Sequence, residues 1–162
     1  MKKTVLLLLV AIVAVSCGTT KIERQAERTF KGDWTLTSIT YPNNSGFVDV
    51  TLFQDASSKC FTNSSWNFVS NNNQGSYMQS GSGCDTAMRE FVWSVQEINQ
   101  TTGLYNFTLK VLKEGENARK VDTGYRLKLA SLSENNMTWE QTVSYEGKPF
   151  LIRMEFIKSI NQ

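Results

Sequence analysis

From Asp33 to Phe156, large apolar side chains recur at every second position of successive short segments. Alternation with a period of two is typical of β-strands that bury one face. The pattern predicts eight or nine strands and little helix. The positions that define these strands are Trp34, Leu36 and Ser38; Val48, Val50 and Leu52; Trp66 and Phe68; Tyr77; Phe91, Trp93 and Val95; Tyr105, Phe107, Leu109 and Val111; Tyr125, Leu127 and Leu129; Met137, Trp139, Gln141 and Val143; and Phe150, Ile152, Met154 and Phe156.

Clusters of Asn, Gly, Ser, Glu and Pro interrupt the alternation at residues 42–46, 71–75, 99–103, 114–117 and 146–149. Short polar breaks of this kind join consecutive antiparallel strands. Between a sandwich and a barrel, an up-and-down strand order closes most simply as a barrel, which has no free edges. We therefore predict an all-β fold, an antiparallel up-and-down β-barrel of about eight to nine strands. Such a barrel is either filled by its own side chains or holds one small ligand.

The first 16 residues are typical of a secretory signal peptide, because a basic head (Lys2 and Lys3) precedes an apolar run too short to span a bilayer. The segment Ala14-Val15-Ser16-Cys17 resembles the bacterial lipobox. In that family the Cys is acylated and becomes the first residue of the mature protein, so the resemblance implies a lipoprotein whose Cys17 carries palmitate-type chains. A plain signal peptide with a chance Cys is the alternative.

The predicted organisation is a signal peptide at 1–16, a lipidated tether with a short N-terminal helix at 17–29, and one barrel domain at 30–162. The helix is indicated by the spacing of Ile22, Ala26 and Phe30. The lipid would hold the protein on a membrane of the bacterial cell envelope. Because no acidic export tag follows Cys17, the outer membrane is the expected location, with its periplasmic and surface faces both open.

Charge and histidine content exclude several classes of function. The chain has 17 basic and 15 acidic side chains, but two of the basic ones lie in the signal peptide, which leaves 15 against 15. Without a basic cluster, we expect no nucleic-acid partner. The absence of histidine excludes Ser-His-Asp triads and the usual zinc sites. We expect no metal, no cofactor and no catalysis, since no carboxylate pair is marked out by its spacing.

Two cysteines remain once Cys17 is lipidated. Disulfides persist beyond the cytoplasmic membrane, so Cys60 and Cys84 are predicted to form one. Two buried thiols or a nucleophile are the alternatives, but no histidine is present to activate a thiolate.

A set of short motifs resembles the lipocalin-like domain of small bacterial lipoproteins. The first is the Gly-x-Trp element Gly32-Asp33-Trp34, although the META-type stress-lipoprotein domain also opens with a Gly-x-Trp-x-Leu strand. The resemblance covers about residues 30–158 and implies a small hydrophobic ligand at the open end of the barrel. The other motifs are Cys60-Phe61, Ser65-Trp66-Asn67-Phe68, Gly75-Ser76-Tyr77, Cys84, Met137-Thr138-Trp139-Glu140-Gln141 and the strand from Phe150 to Phe156.

The resemblance also implies an arginine that packs over the Gly-x-Trp indole and closes one end of the barrel. Arg153 in the last strand is the candidate, which makes Gly32, Trp34 and Arg153 the expected barrel-closing residues. The alternation of side chains along a strand is evidence against this role. If the neighbouring Ile152 and Met154 point into the barrel, Arg153 points outward.

The tentative ligand-binding residues are the large inward-facing side chains. By bulk alone they favour a filled interior, and a ligand cavity is the alternative. A filled barrel would favour a second function, an envelope protein-interaction module (an inhibitor or assembly partner) that binds through its loops at 70–75, 80–83 or 114–120. The ligand-binding candidates are Trp34, Trp66, Phe68, Trp93, Tyr105, Phe107, Trp139 and Gln141.

Overall fold

The computed structural model describes residues 28–159, except residues 45, 47, 70, 71, 100, 103 and 114 and the side chains of residues 96–98. Within these residues no helix has the length and apolar character needed to cross a bilayer. The elements are β1 (Gly32–Thr40), β2 (Thr51–Leu52), β3 (Ala56–Ser57), α1 (Ser58–Phe61), β4 (Ser64–Val69), β5 (Gln74–Met78), β6 (Met88–Ile98), β7 (Tyr105–Leu112), β8 (Tyr125–Leu132), β9 (Asn136–Tyr145) and β10 (Lys148–Lys158).

Eight of the strands close into a barrel in the order β1-β10-β9-β8-β7-β6-β5-β4. Every neighbouring pair is antiparallel, and β1 pairs with β10 on one side and β4 on the other. Apart from that closure, neighbours in the barrel are neighbours along the chain. The predicted antiparallel up-and-down barrel is therefore confirmed, with eight strands.

The strand predicted around Val48, Val50 and Leu52 is wrong in extent. Only Thr51–Leu52 forms a strand, and it pairs with Ala56–Ser57 in a separate two-stranded hairpin. The hairpin reverses at Phe53 and Gln54, whose φ angles are +53° and +51°. Because these are left-handed conformations, the chain turns back before a longer strand can form.

Alternation along the barrel strands builds one core. β4 shows the pattern, with Ser64, Trp66 and Phe68 buried and the residues between them more exposed. Gly75 on β5 lies where a Cβ would clash with the Phe91 ring, so the absence of a side chain allows that ring to pack. The predicted inward faces therefore meet in a shared interior, except at Ser38, because a bulge after Leu36 turns its hydroxyl outward to Glu155.

The two ends of the barrel are covered differently. Residues 28–30 form a helical turn that leads into β1 at one end, and Phe30 is fully buried there. This turn lies at the C-terminal end of the predicted tether and helix, whose residues 17–27, like the signal peptide, fall outside the described residues. At the other end lies the connection from β1 to β4, which contains β2, β3 and α1.

Candidate functional site

The closed end of the barrel is filled by Phe30, a ring that does not belong to any strand. Its centroid lies 5.2 Å from that of Phe68, 5.3 Å from the Trp93 ring and 5.7 Å from that of Phe107. The Trp34 indole Nε1 donates a hydrogen bond of 2.9 Å to the Phe30 carbonyl oxygen. The segment before β1 is thus fixed to the barrel by packing and by a buried hydrogen bond.

Lys158, and not Arg153, covers the Trp34 indole. The Lys158 Nζ lies 5.2 Å from the ring centroid, and Lys158 is the β10 residue that pairs with Trp34. The neighbours of Arg153, Ile152 and Met154, are buried, so Arg153 points outward. The prediction that Arg153 closes the barrel is wrong. Gly32 has a φ of +112°, and a Cβ there would contact the Lys158 side chain at 3.5 Å.

Arg153 instead joins an ionic group on the outer wall. Its Nη2 lies 2.8 Å from Glu140 Oε1, and Lys128 Nζ lies 3.5 Å from Glu140 Oε2. Hydrogen bonding from Arg153, together with the charge of Lys128, holds the pKa of the Glu140 carboxyl below its ordinary value of 4.5. The group links three adjacent strands, β8, β9 and β10.

We predict that Glu140→Gln lowers the free energy of unfolding at pH 7 by about 0.5–1 kcal/mol. A lowered pKa in the folded state contributes stability above the unfolded value of 4.5, and that contribution is lost as pH falls through the folded-state pKa. The variant should therefore lose less stability than the wild type between pH 5 and pH 3 in urea titrations. Glu134→Gln, on an exposed turn, is the control; a parallel fall for wild type and Glu140→Gln would contradict the prediction.

The predicted ligand-binding rings meet in the interior, where they pack against one another. Trp66 stacks on Tyr77 with 4.5 Å between ring centroids and meets Trp139 edge-on at 5.5 Å. The Trp139 ring also lies 4.4 Å from that of Phe156. The barrel is filled by its own side chains at this level, in keeping with the bulk of these rings. The contact of these rings with a ligand stays a prediction.

Three of the predicted ligand-binding residues carry polar groups whose surroundings differ from one another. Gln141 is half-buried and pairs with Ile152 on β10. The indole nitrogens of Trp93 and Trp139 are buried and have no hydrogen-bond partner within the described part of the chain. These two N–H groups are the interior positions at which a polar ligand atom would gain a hydrogen bond.

Residues 48–63, which we call the mouth loop, cover the other end of the barrel. Phe53 inserts its ring against three others, with centroid distances of 5.6 Å to Phe61, 6.1 Å to Trp66 and 5.3 Å to Tyr125. Phe53 is only 4% exposed. The tip of the mouth loop is therefore part of the hydrophobic core as well as its cover.

A carboxylate next to this ring fastens the mouth loop to the barrel wall. Asp55 Oδ2 accepts hydrogen bonds from the Tyr77 hydroxyl at 2.7 Å and Gln79 Nε2 at 2.6 Å. Arg89 Nε lies 2.7 Å from the same oxygen, in an ion pair whose side chains are each 17% exposed. Burial and the hydrogen bond to Asp55 raise the pKa of the Tyr77 hydroxyl, which keeps it protonated as the donor.

A disulfide fastens the mouth loop at a second point. Cys60 in α1 is bonded to Cys84 in the connection between β5 and β6, as predicted. The Ser80 backbone N–H also donates to the Cys60 carbonyl oxygen at 2.9 Å. The Tyr41 hydroxyl donates to Ser58 Oγ at 2.8 Å. The base of the mouth loop is thus held to the connection between β5 and β6 and to the residue that follows β1.

An open groove of about 1390 Å³ runs from the tip of the mouth loop across the rim of the barrel and onto the outer face of β5 and β6. Its walls combine apolar and charged side chains, which suits an amphiphilic molecule better than a purely apolar one. Among the described residues, no group of three or more Asp, Glu, Cys or His side chains is placed to hold a metal ion. The side chains that line the groove include Phe53, Asp55, Met88, Arg89, Leu112 and Tyr125.

A family model for a lipocalin-like domain matches residues 30–139. The match begins at Phe30 and extends through Trp139 on β9, so it includes both ends of the barrel and most of its wall. The chain belongs to the lipocalin-like domain family. No curated protein is similar enough in sequence to match it.

Membership of the lipocalin-like family suggests ligand binding, and the family is generally non-catalytic. In this lipocalin-like chain, none of the eight predicted ligand-binding residues lines the groove at the mouth. Sequence reasoning missed the mouth-loop and β6 residues that shape the groove, above all Phe53, Asp55 and Arg89, because no local pattern marks them. The loop at 114–120, which the sequence suggested as a protein-binding loop, contributes Gly115, Glu116, Asn117, Ala118 and Lys120 to the same groove.

Proposed function

We propose that this chain is a lipid-anchored, non-catalytic protein of the bacterial envelope that binds a small, mainly hydrophobic ligand at the mouth of its barrel. The observation that carries the proposal is the groove of about 1390 Å³, which lies where the packed interior ends. The family suggests ligand binding, and the rings of the interior leave the rim as the accessible place for it.

The groove favours an amphiphile of modest size. Apolar side chains such as Leu112 and Tyr125 offer contact surface, and Arg89, Lys113 and Glu116 lie along the same groove. Apolar contact would supply most of the affinity, and the charged groups would orient the ligand. Fatty acids, bile acids and tetrapyrroles have this character and form the first panel to test.

Ligand binding is tested by titrating the panel into the mature protein while tryptophan fluorescence and heat release are followed. Met88 lines the groove and is 64% exposed, so Met88→Arg should weaken binding about tenfold or more without disturbing the core. Ile157→Arg is the matched control, because Ile157 is an apolar residue of similar exposure, 50%, outside the groove. Saturation by no compound, or equal effects of both variants, would contradict the proposal.

Anchoring has a separate test at the predicted lipidation site. We predict that Cys17→Ala moves the protein from the membrane fraction to the soluble fraction of the cell, since multiple acyl chains are needed for stable attachment. Fractionation and immunoblotting measure the distribution, and metabolic labelling with palmitate reports the lipid. Cys60→Ser is the control for loss of a cysteine elsewhere. Unchanged partitioning of Cys17→Ala would contradict the lipoprotein assignment.

The packed interior favours one alternative function, an envelope protein-interaction module. A solid barrel needs no cavity to present loops, and the connection that carries Cys84 is held rigid by its disulfide. Under this alternative, changes in residues 80–83 would abolish capture of a partner, and no small molecule would compete. Competition by a panel compound would favour ligand binding instead.

A further inference from the structure

We propose that the tip of the mouth loop is a gate and that Asp55 is its latch. When the latch releases, the apolar part of the ligand takes the place of the Phe53 ring. This inference rests on the proposed ligand-binding function, whose site it extends inward from the rim. The tip, residues 51–57, then has two states. The closed state is the one in the present structure, and the open state binds ligand tightly.

Phe53 is the first reason for this proposal, because it faces both the groove and the core. It lines the groove together with Tyr125. On its other side its ring packs edge-on against Trp66 and Phe61. Removing this one side chain from its position would therefore join the groove to the aromatic interior. The vacated place is apolar and ring-sized, which suits the hydrophobic part of an amphiphile.

The side-chain contacts of Asp55 are the second reason, because the hydrogen bonds and the ion pair of its carboxylate all lead to the wall of the barrel. Its Oδ2 atom accepts hydrogen bonds from Tyr77 on β5 and from Gln79 just after β5, and it forms an ion pair with Arg89 on β6. Charge-assisted hydrogen bonds are among the stronger ones in proteins, and these are largely shielded from water. Breaking this one set of contacts would free the tip from the wall.

Backbone strain beside the latch is the third reason. Phe53 and Gln54 hold consecutive φ angles of +53° and +51°, conformations that L-residues with large side chains rarely adopt. Such strain persists only where surrounding contacts impose it, and here those contacts are the Phe53 packing and the Asp55 latch. The conformation of the closed tip therefore depends on both of these contacts.

The base of the mouth loop sets the limit of this motion. The disulfide holds Cys60, and Tyr41 is bonded to Ser58, so α1 stays in place. The tip itself is a hairpin in which Thr51 pairs with Ser57. These contacts confine the motion to residues 51–57, which move as a unit.

Hydrogen exchange of the amides in residues 51–57 tests the latch without any ligand. Asp55→Asn removes the charge that three donors share, so we expect these amides to exchange on the order of tenfold to a hundredfold faster. Asp49→Asn is the matched control. It makes the same charge change on the same loop, but its partners are the half-buried Ser57, at the end of the tip, and the exposed Lys59 rather than the wall. It should change exchange less than about threefold.

Binding of anilinonaphthalene sulfonate, an amphiphilic fluorescent probe, tests the coupling to the site. If only the open state admits the probe, Asp55→Asn should tighten probe binding by about the same factor as it increases opening. Phe53→Ala should also tighten binding, because the place of the ring is then vacant. Unchanged or weaker probe binding by both variants, with exchange increased, would overturn the coupling of the gate to the site.

The two proposals fail in different ways. Equal exchange in wild type and Asp55→Asn overturns the latch, whether or not any probe binds. Increased exchange with no probe binding by any variant supports the latch and counts against the ligand-binding function. If Asp55→Asn does not fold, as judged by circular dichroism, Tyr77→Phe removes one donor and keeps the ring. It should speed exchange of the same amides about threefold to tenfold.

Discussion

Phe30→Ala is expected to lower the free energy of unfolding by about 3–5 kcal/mol. Phe30 is fully buried at the closed end of the barrel and packs against the rings of Phe68, Trp93, Phe107 and Trp139. Removing its ring leaves a void that rigid aromatic neighbours cannot collapse to fill. Although Phe30 lies outside the strands, the change should rank with the costliest substitutions in the core.

Urea unfolding of the mature protein, followed by tryptophan fluorescence, measures this change. Phe30→Leu is the conservative comparison and should cost less, because it refills much of the volume. Arg28→Ala, two residues earlier on the same helical turn and exposed, should have little effect. A loss below about 1 kcal/mol for Phe30→Ala would show that the closed end does not depend on this ring.

Removal of the disulfide is expected to lower the free energy of unfolding by about 3 kcal/mol. Cys60 and Cys84 are 24 residues apart, and the bond between them restricts the unfolded chain. The effect should appear in the variant that carries both Cys60→Ser and Cys84→Ser. Reduced wild type should unfold at a similar urea concentration.

The control for the disulfide compares how a thiol reductant changes the stability of wild type and of the double variant. Wild type should lose stability when a thiol reductant is added, whereas the double variant should not change. Equal stability of oxidised wild type and the double variant would contradict the expected contribution. Hydrogen exchange should also be faster in α1, because the bond holds the base of the mouth loop.

The strands of the barrel were predictable because burial on one face imposes a period of two. On β7, for example, Tyr105, Phe107 and Leu109 are buried and alternate with more exposed residues, as their spacing indicates. The same rule explains the correction at Arg153, since Ile152 and Met154 fix its direction. Where alternation governs the chain, local sequence carries the structural information.

The mouth could not be predicted in the same way. Val48 and Val50 alternate like a strand, but the hairpin that follows them is set by the contacts of Phe53 and Asp55 with distant residues. Those contacts join positions far apart in the sequence, and no local pattern encodes them. Lys158 likewise reaches Trp34 only because β10 closes against β1 in one register.

Under the proposed function, ligand binds at the mouth while the closed end of the barrel stays packed. Nuclear magnetic resonance during titration with a bound panel compound locates the site of binding. We expect the largest shifts at the Met88 methyl group and the Tyr125 ring, which line the groove. The indole N–H signals of Trp93 and Trp139, buried and without an acceptor among the described residues, should stay in place. Large shifts of those two indole signals, with Met88 and Tyr125 unchanged, would contradict it.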